Sequence, residues 1–139
     1  MKNKLKAHFL IASNEINPDD ISIRLGIKWD DAIFKGSPNA SGNPESHPIN
    51  LFILRSRLAS TEDMEKHAID ILDRISPVRK KIMSLPKSCN PTMAFNCLLK
   101  TNGGWSFGVK TLNAIAKLGV PCVFSLDVKT RNHNAHDIK

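Results

Sequence analysis

The chain has 139 residues with 20 Lys+Arg against 13 Asp+Glu, a formal charge of +7 with histidine neutral. That length fits one domain able to bury about two-thirds of its unfolded surface, so no disulfide or metal staple is required. An apolar share of 41%, with 7 glycines and 8 prolines in no period, excludes collagen, coiled coil and wholesale disorder.

Leu5 to Ser13 alternates Ala7, Phe9 and Ile11 with His8, Leu10 and Ala12, the pattern of a largely buried strand. Asn17-Pro18-Asp19-Asp20 then reads as N-cap, first-position proline and first-turn acids of a short helix, with Ile21, Ile23 and Leu25 expected inward and Gly26 as the stop. A second strand is expected over Trp29 to Phe34. Residues 35–49 hold two glycines, three prolines and three serines and form a loop, and loops of this length are commonly functional or disordered.

Asn50 to Leu58 opens on Leu51-Phe52-Ile53-Leu54 and reads as a central strand. Ser60 is expected to cap a helix carrying Met64, Ala68, Ile71, Leu72 and Ile75, with Glu62, Asp63 and Glu65 at its positive end. Ser76-Pro77 inside this pattern predicts a kink or a second short helix to Met83. Thr92 to Lys100 is expected as a strand beyond a turn bracketed by Pro86 and Pro91. After the Asn102-Gly103-Gly104 turn, Ser106 is expected to cap a helix with Val109, Leu112, Ile115 and Leu118 on one face, ended by Gly119, before a last strand over Cys122 to Val128.

The order β-α-β-β-α-β-α-β predicts an α+β fold: a ferredoxin-like β-α-β-β-α-β core extended by a further helix and strand, with helices on one face of a mainly antiparallel sheet. Residues 1–128 are expected as a single domain and 129–139 as a flexible polar tail.

No apolar run near the N-terminus is long enough for a membrane span or a signal-peptide core, so the expected location is the cytoplasm, with no membrane partner. Three cysteines, Cys89, Cys97 and Cys122, form no C-x-x-C pair and are expected as reduced thiols. The positive charge collects at Lys2, Lys4 and Lys6, at Arg79, Lys80, Lys81 and Lys87, and in the tail. A nucleic-acid reader carries its charge along one face with interleaved aromatics, which this distribution does not do.

Catalytic candidates fall away in turn. The Gly103–Gly108 stretch is neither a P-loop nor a dinucleotide fingerprint, and there is no G-x-S-x-G elbow. His133 and His136 lack further ligands at metal spacing, and His67, beside Lys66 and one turn from Asp63 and Asp70, is expected in a solvated ion pair. The acid pairs Asp19-Asp20 and Glu62-Asp63 are accounted for by helix N-termini. No catalytic residue, cofactor or metal is expected, and the chain is read as a non-enzyme. The stretch with the composition of an interface is the turn Lys35-Gly36-Ser37, with Trp29 and Trp105 expected close to it and Arg79, Lys80 and Lys81 as a basic patch.

The succession Asn17-Pro18-Asp19-Asp20-Ile21 to Leu25-Gly26, Phe34-Lys35-Gly36-Ser37-Pro38, a long helix ending Arg74-Ile75-Ser76-Pro77-Val78, and Gly104-Trp105-Ser106 before Leu118-Gly119 resembles a family of small bacterial proteins known only as a domain of unknown function. In that family the second strand usually reads Trp-x-Lys-Gly-Asp-Pro, and a Gly-Gly-aromatic-Ser turn precedes the last helix. The chain departs from it at Phe34, in the tryptophan position, and at Ser37, in the acidic one. The resemblance spans residues 7–128 and implies a cytosolic α+β domain with no catalytic residue to transfer.

By analogy it implies a binder that inhibits or neutralises one protein or ribonucleoprotein partner, in the manner of a toxin-immunity protein or a phage counter-defence protein such as an anti-CRISPR-like inhibitor. The alternative is a nucleic-acid-binding module that uses the basic termini and the Arg79, Lys80, Lys81 cluster.

Overall fold

A computed structural model describes residues 3–38, 47–99 and 104–128. Lys2, residues 39–46 of the expected loop, Lys100 of the expected strand, Asn102 and Gly103 of the expected turn, and the expected tail from 129 with His133 and His136 lie outside the described residues.

The described chain runs β1 (Lys4–Ser13), α1 (Pro18–Leu25), β2 (Asp31–Ile33), β3 (Asn50–Arg55), α2 (Met64–Ile75), a 3-10 turn (Ser76–Val78), α3 (Arg79–Met83), β4 (Cys89–Leu99), α4 (Val109–Leu118) and β5 (Cys122–Val128). The five strands form one sheet in the order β2-β3-β1-β4-β5. Every neighbouring pair is antiparallel except β4 and β5, which are parallel and joined through α4. The protein is therefore α+β with a mainly antiparallel sheet.

In β1, Leu5, Ala7, Phe9 and Ile11 are buried, and they pack with Phe52, Leu54, Met93 and Phe95 against the apolar stripes of α1 and α2. Lys6, His8, Leu10 and Ala12, on the opposite sheet face, are only half-buried. β1 ends where the buried Ser13 hydroxyl accepts the Glu15 and Ile16 N–H groups at 3.3 and 3.0 Å, a side-chain turn that leads into α1.

Helix α1 forms as its sequence dictates. Asn17 Oδ1 accepts the Asp20 N–H at 2.9 Å, Pro18 opens the first turn, and Gly26 closes the helix at φ 73°, in the left-handed region glycine favours. The buried stripe is Pro18, Ile21 and Leu25, while Ile23, expected inward, points to solvent because two residues along a helix is more than half a turn.

The expected strands change at their ends for reasons visible in the bonding. β2 is shorter than 29–34 because the Asp30 side chain takes the Arg55 N–H at 2.9 Å, ending regular pairing. β3 stops at Arg55 because the Ser56 hydroxyl, in place of a backbone carbonyl, accepts the Ala7 N–H at 3.1 Å. β4 starts at Cys89, three residues earlier than expected, and contains Pro91. The Met93 N–H donates to Pro121 O, so the missing N–H of Pro91, two residues earlier, falls on the side that β5 has not yet reached.

Two expected caps are replaced. Ser60 does not cap α2, because its carbonyl accepts the Leu5 N–H at 2.7 Å and ties the segment to β1, and the helix begins at Met64. Ser106 does not cap α4; Gly108 stands at the cap, and its N–H donates to Glu65 Oε1 of α2 at 2.6 Å. The buried positions of α4 are Thr111, Ile115 and Leu118, which leaves Val109 and Leu112, expected in the core, exposed. At the other end of α2, the kink expected at Ser76-Pro77 is the 3-10 turn leading into α3.

Candidate functional site

The residues singled out for binding fall in three separate places. The turn Lys35-Gly36-Ser37 follows β2 and is closed by its own bonds. The Gly36 N–H donates to His47 O and the His47 N–H to Ser37 O, both at 2.9 Å, and the Ser37 hydroxyl donates to Phe34 O at 2.6 Å. Lys35 donates its N–H to Asn50 Oδ1 at 2.8 Å and its ammonium to Asn14 O at 3.4 Å. Trp29 is beside this turn: its ring meets Phe34 edge-on at 6.4 Å, Lys28 Nζ lies 4.0 Å above it, and its Nε1 donates to Asp19 at 2.9 Å.

Trp105 is not near that turn. β2 and β5 are the two outer strands, and Trp105 lies at the β5 side. Its ring stacks on Phe124 at 5.6 Å with 22° between planes and touches Phe107 at 4.8 Å. Phe124 also stacks on Phe95, at 5.3 Å. Burial pushes the adjacent Cys97 thiol up, and a bond from Trp105 offsets part of that rise.

The basic cluster is divided. Arg79 donates to Lys117 O at the last turn of α4, whereas Lys80 and Lys81 line a cavity of about 330 Å³ together with Arg24, Ser84 and Leu85. Arg24 is a site residue that reading the sequence locally misses, since it belongs to α1 and stands far from Lys80 and Lys81 in the chain.

What also escaped sequence reading is the character of β5. It is one of the two outer strands among the described residues, and Val123, Phe124, Leu126 and Val128 are exposed at 49, 52, 62 and 48%. The Phe95–Phe124 and Cys97–Leu126 register places Phe124 and Leu126 on the core face of the sheet, beyond the reach of the helices. The signal available in the sequence was apolar residues at two consecutive positions, Val123 and Phe124. A second cavity, of about 310 Å³, opens at the end of the same strands between Lys4, Lys6, Cys97, Leu126 and Asp127.

His67 departs from the expected solvated ion pair. It is wholly buried, and its Nδ1 lies 2.6 Å from the buried Ser56 hydroxyl. That hydroxyl also accepts the Ala7 N–H, so it bridges the β1 backbone and the imidazole of α2. Burial first, and then the Lys6 charge, hold the His67 pKa below its ordinary value. Asp70, a turn away, bonds the Arg57 N–H at 2.9 Å. A serine–histidine pair closed to solvent in this way ties β1 to α2 and presents no nucleophile to a substrate. His8, on the half-buried sheet face, pairs with Asn96 at 3.0 Å.

Among the described residues no group of three or more His, Cys, Asp or Glu side chains could hold a metal ion. Also among them, no helix is long and apolar enough to cross a membrane.

These features define a small α+β domain built on one sheet, with an apolar outer strand on one edge and a basic notch between two helices. The chain belongs to the family described as Domain of unknown function (DUF4279), whose match covers residues 3–129. Neither a curated protein nor a solved structure matches it.

Proposed function

We propose that the protein is a non-enzymatic binder that inhibits or neutralises one macromolecular partner, of the toxin-immunity or counter-defence type, and that it receives this partner on the β5 edge. The observation that supports the reading is the exposure of Val123, Phe124, Leu126 and Val128 along a strand with no outer neighbour among the described residues. An edge of this kind presents a row of free backbone N–H and C=O groups, and folded proteins ordinarily blunt it with charge, brevity or a cover. The opposite edge is blunted: β2 has 3 residues and its Asp31 is paired with Arg55 at 2.7 Å. β5 has 7 residues and one charge, Asp127.

Strand addition supplies a chemistry for the contact. A partner strand pairs with the β5 backbone, which gives affinity, and its alternate side chains meet Phe124 and Leu126, which give selectivity. Phe124 is held by Phe95 and Trp105, so little rotamer freedom is lost when a partner covers it. Trp105 thus keeps its proposed binding role, while the Lys35–Ser37 turn and Trp29 are assigned to closing the β2 edge.

The test is capture from lysates with the full chain as bait, at low and at raised salt. The reading predicts one stoichiometric partner retained at raised salt and lost with Leu126→Lys, because an apolar-centred interface depends little on ionic strength. Micromolar binding to generic RNA or DNA with a steep salt slope would place nucleic-acid binding first instead. Turnover of a metabolite, together with an empty capture, would refute the proposal.

A further inference from the structure

We propose that the notch between α1 and α3 is a binding site for a phosphoryl group, held by Arg24, Lys80 and Lys81. The inference does not rest on partner capture at β5. Three cations from two separate helices line one cavity of about 330 Å³, with the Leu85 side chain as an apolar wall. No carboxylate is in a salt bridge with any of the three among the described residues, although carboxylates pair with Lys28, Arg55, Arg57, Lys66 and Arg74 elsewhere on the surface.

Helix dipoles account for only part of this grouping. The C-terminal end of α1 complements Arg24 in its last turn and the Lys81 ammonium that reaches its cap. Lys80 is left over, and α3, with 5 residues, offers it little dipole. Lys81 is in fact turned back onto α1: its Nζ lies 3.7 Å from where a Cβ on Gly26 would stand, at the C-cap of that helix. The carbonyl end of α1 therefore helps hold the Lys81 ammonium beside Arg24, and the like charges so gathered repel one another until an anion enters.

The ligand class follows from the donors. The Ser84 hydroxyl donates to Lys80 O at 2.8 Å, so the groups left to face a ligand are one guanidinium and two ammonium ions. A planar guanidinium matches two oxygens of a phosphoryl group, and each ammonium serves a further oxygen as a point charge. A lone carboxylate would leave two of the three charges uncompensated, whereas a phosphate ester carries more charge and more acceptor oxygens. The phosphoryl group could belong to a free phosphorylated molecule or to a nucleic-acid backbone, and the chemistry of the notch is the same for both.

The experiment is amide NMR of the full chain titrated with inorganic pyrophosphate and, separately, with a short single-stranded oligonucleotide, acetate serving as the anion control. Shifts centred on residues 22–26 and 80–85 with either phosphate probe, and none there with acetate, support the site. Saturation by pyrophosphate alone identifies a free phosphorylated ligand. Saturation by the oligonucleotide alone, with a log–log salt slope of about −2 for three single-strand contacts, identifies the backbone.

Arg24→Gln and Lys81→Gln each weaken the effective probe roughly tenfold, the loss expected for one charge-assisted bond, while Arg24→Lys retains part of the affinity. The absence of shifts at the notch with both probes in the unmodified protein, or binding indifferent to all three substitutions, overturns the proposal.

Discussion

Arg74 of α2 grips Asp30, the residue just before β2, through both ends of its guanidinium, Nη1 to Oδ2 at 2.9 Å and Nη2 to Oδ1 at 3.1 Å. Asp30 also accepts the Arg55 N–H and a bond from Arg57, while Arg74 donates to Arg55 O. One carboxylate thus joins the start of β2, the end of β3 and the last turn of α2. It explains how a strand of 3 residues keeps its place at the sheet edge.

The same carboxylate sets an acid limit. Burial alone would raise the Asp30 pKa, but the bonds from Arg74, the Arg55 N–H and Arg57 outweigh it and hold the group at about 2, against 3.8 ordinarily. Because the folded value lies below the unfolded one, its contribution is complete above about pH 4 and is lost as the pH falls from there through about 2. Asp30→Ala should cost about 2 kcal/mol at neutral pH, between the limits for exposed and buried pairs, and should flatten the decline in stability between pH 4 and 2. Urea denaturation across that range measures both. An unchanged midpoint would show that the three arginines are satisfied without it.

Glu65 acts on α4 from another helix. Its bonds to the Gly108 N–H and the Thr111 side chain lower its pKa, and a Cβ at position 108 would sit 3.0 Å from its Oε1. Glu65→Ala should therefore speed hydrogen exchange in the first turn of α4, at Val109 to Leu112, and leave the amides of β1 and β3 unchanged. Gly108→Ala should produce the same local pattern by displacing the carboxylate. Exchange that rises throughout the protein would instead mean that the two helices form one cooperative unit.

How far the fold could be read from the sequence follows from the range of the forces involved. Asn17-Pro18 and Gly26 cap α1 through bonds within the segment, so their residue types sufficed. Gly119 ends α4 in the same local way, at φ 74°. Ser60 and Ser106 looked equally like caps, but one chain segment is claimed by β1 and the other helix by Glu65, partners distant in sequence. His67 was legible in principle, since it lies three residues after Met64 and four before Ile71 and so falls on the buried stripe. Its neighbouring charges concealed this. The candidate sites were less legible. The separation of Trp29 from Trp105 follows from strand order, and the meeting of Arg24 with Lys80 and Lys81 from how α1 packs on α3.

The buried imidazole predicts a second decline in stability, at milder acidity. Burial lowers the His67 pKa from 6.5, with Lys6 adding to the effect and Asp70 and Glu62 opposing it. His8 is lowered as well, by burial and by Arg55 and Lys6. The folded state therefore holds fewer protons than the unfolded one below about pH 6.5, so stability is full above that pH and falls as the pH drops through the folded values. His67→Gln should reduce the slope of stability against pH between 7 and 5, and His8→Gln should remove part of what remains. Thermal melts at closely spaced pH values provide the check, and a slope identical in all three proteins would contradict the assignment.

The β5 edge separates folding from recognition. Leu126 is 62% exposed, so Leu126→Lys removes little buried area and should change stability by no more than about 0.5 kcal/mol. A lysine on an edge strand opposes the pairing of another strand, because its ammonium must be desolvated where the partner packs. The substitution should therefore abolish partner capture while the melting curve stays almost unchanged. Phe124→Ala differs, since it removes a ring stacked on Phe95 and Trp105 and should lower both stability and capture. If Leu126→Lys melted much earlier than the unmodified chain, β5 would be contributing to the core. If it captured the partner as well as the unmodified chain does, the contact would have to lie on another surface.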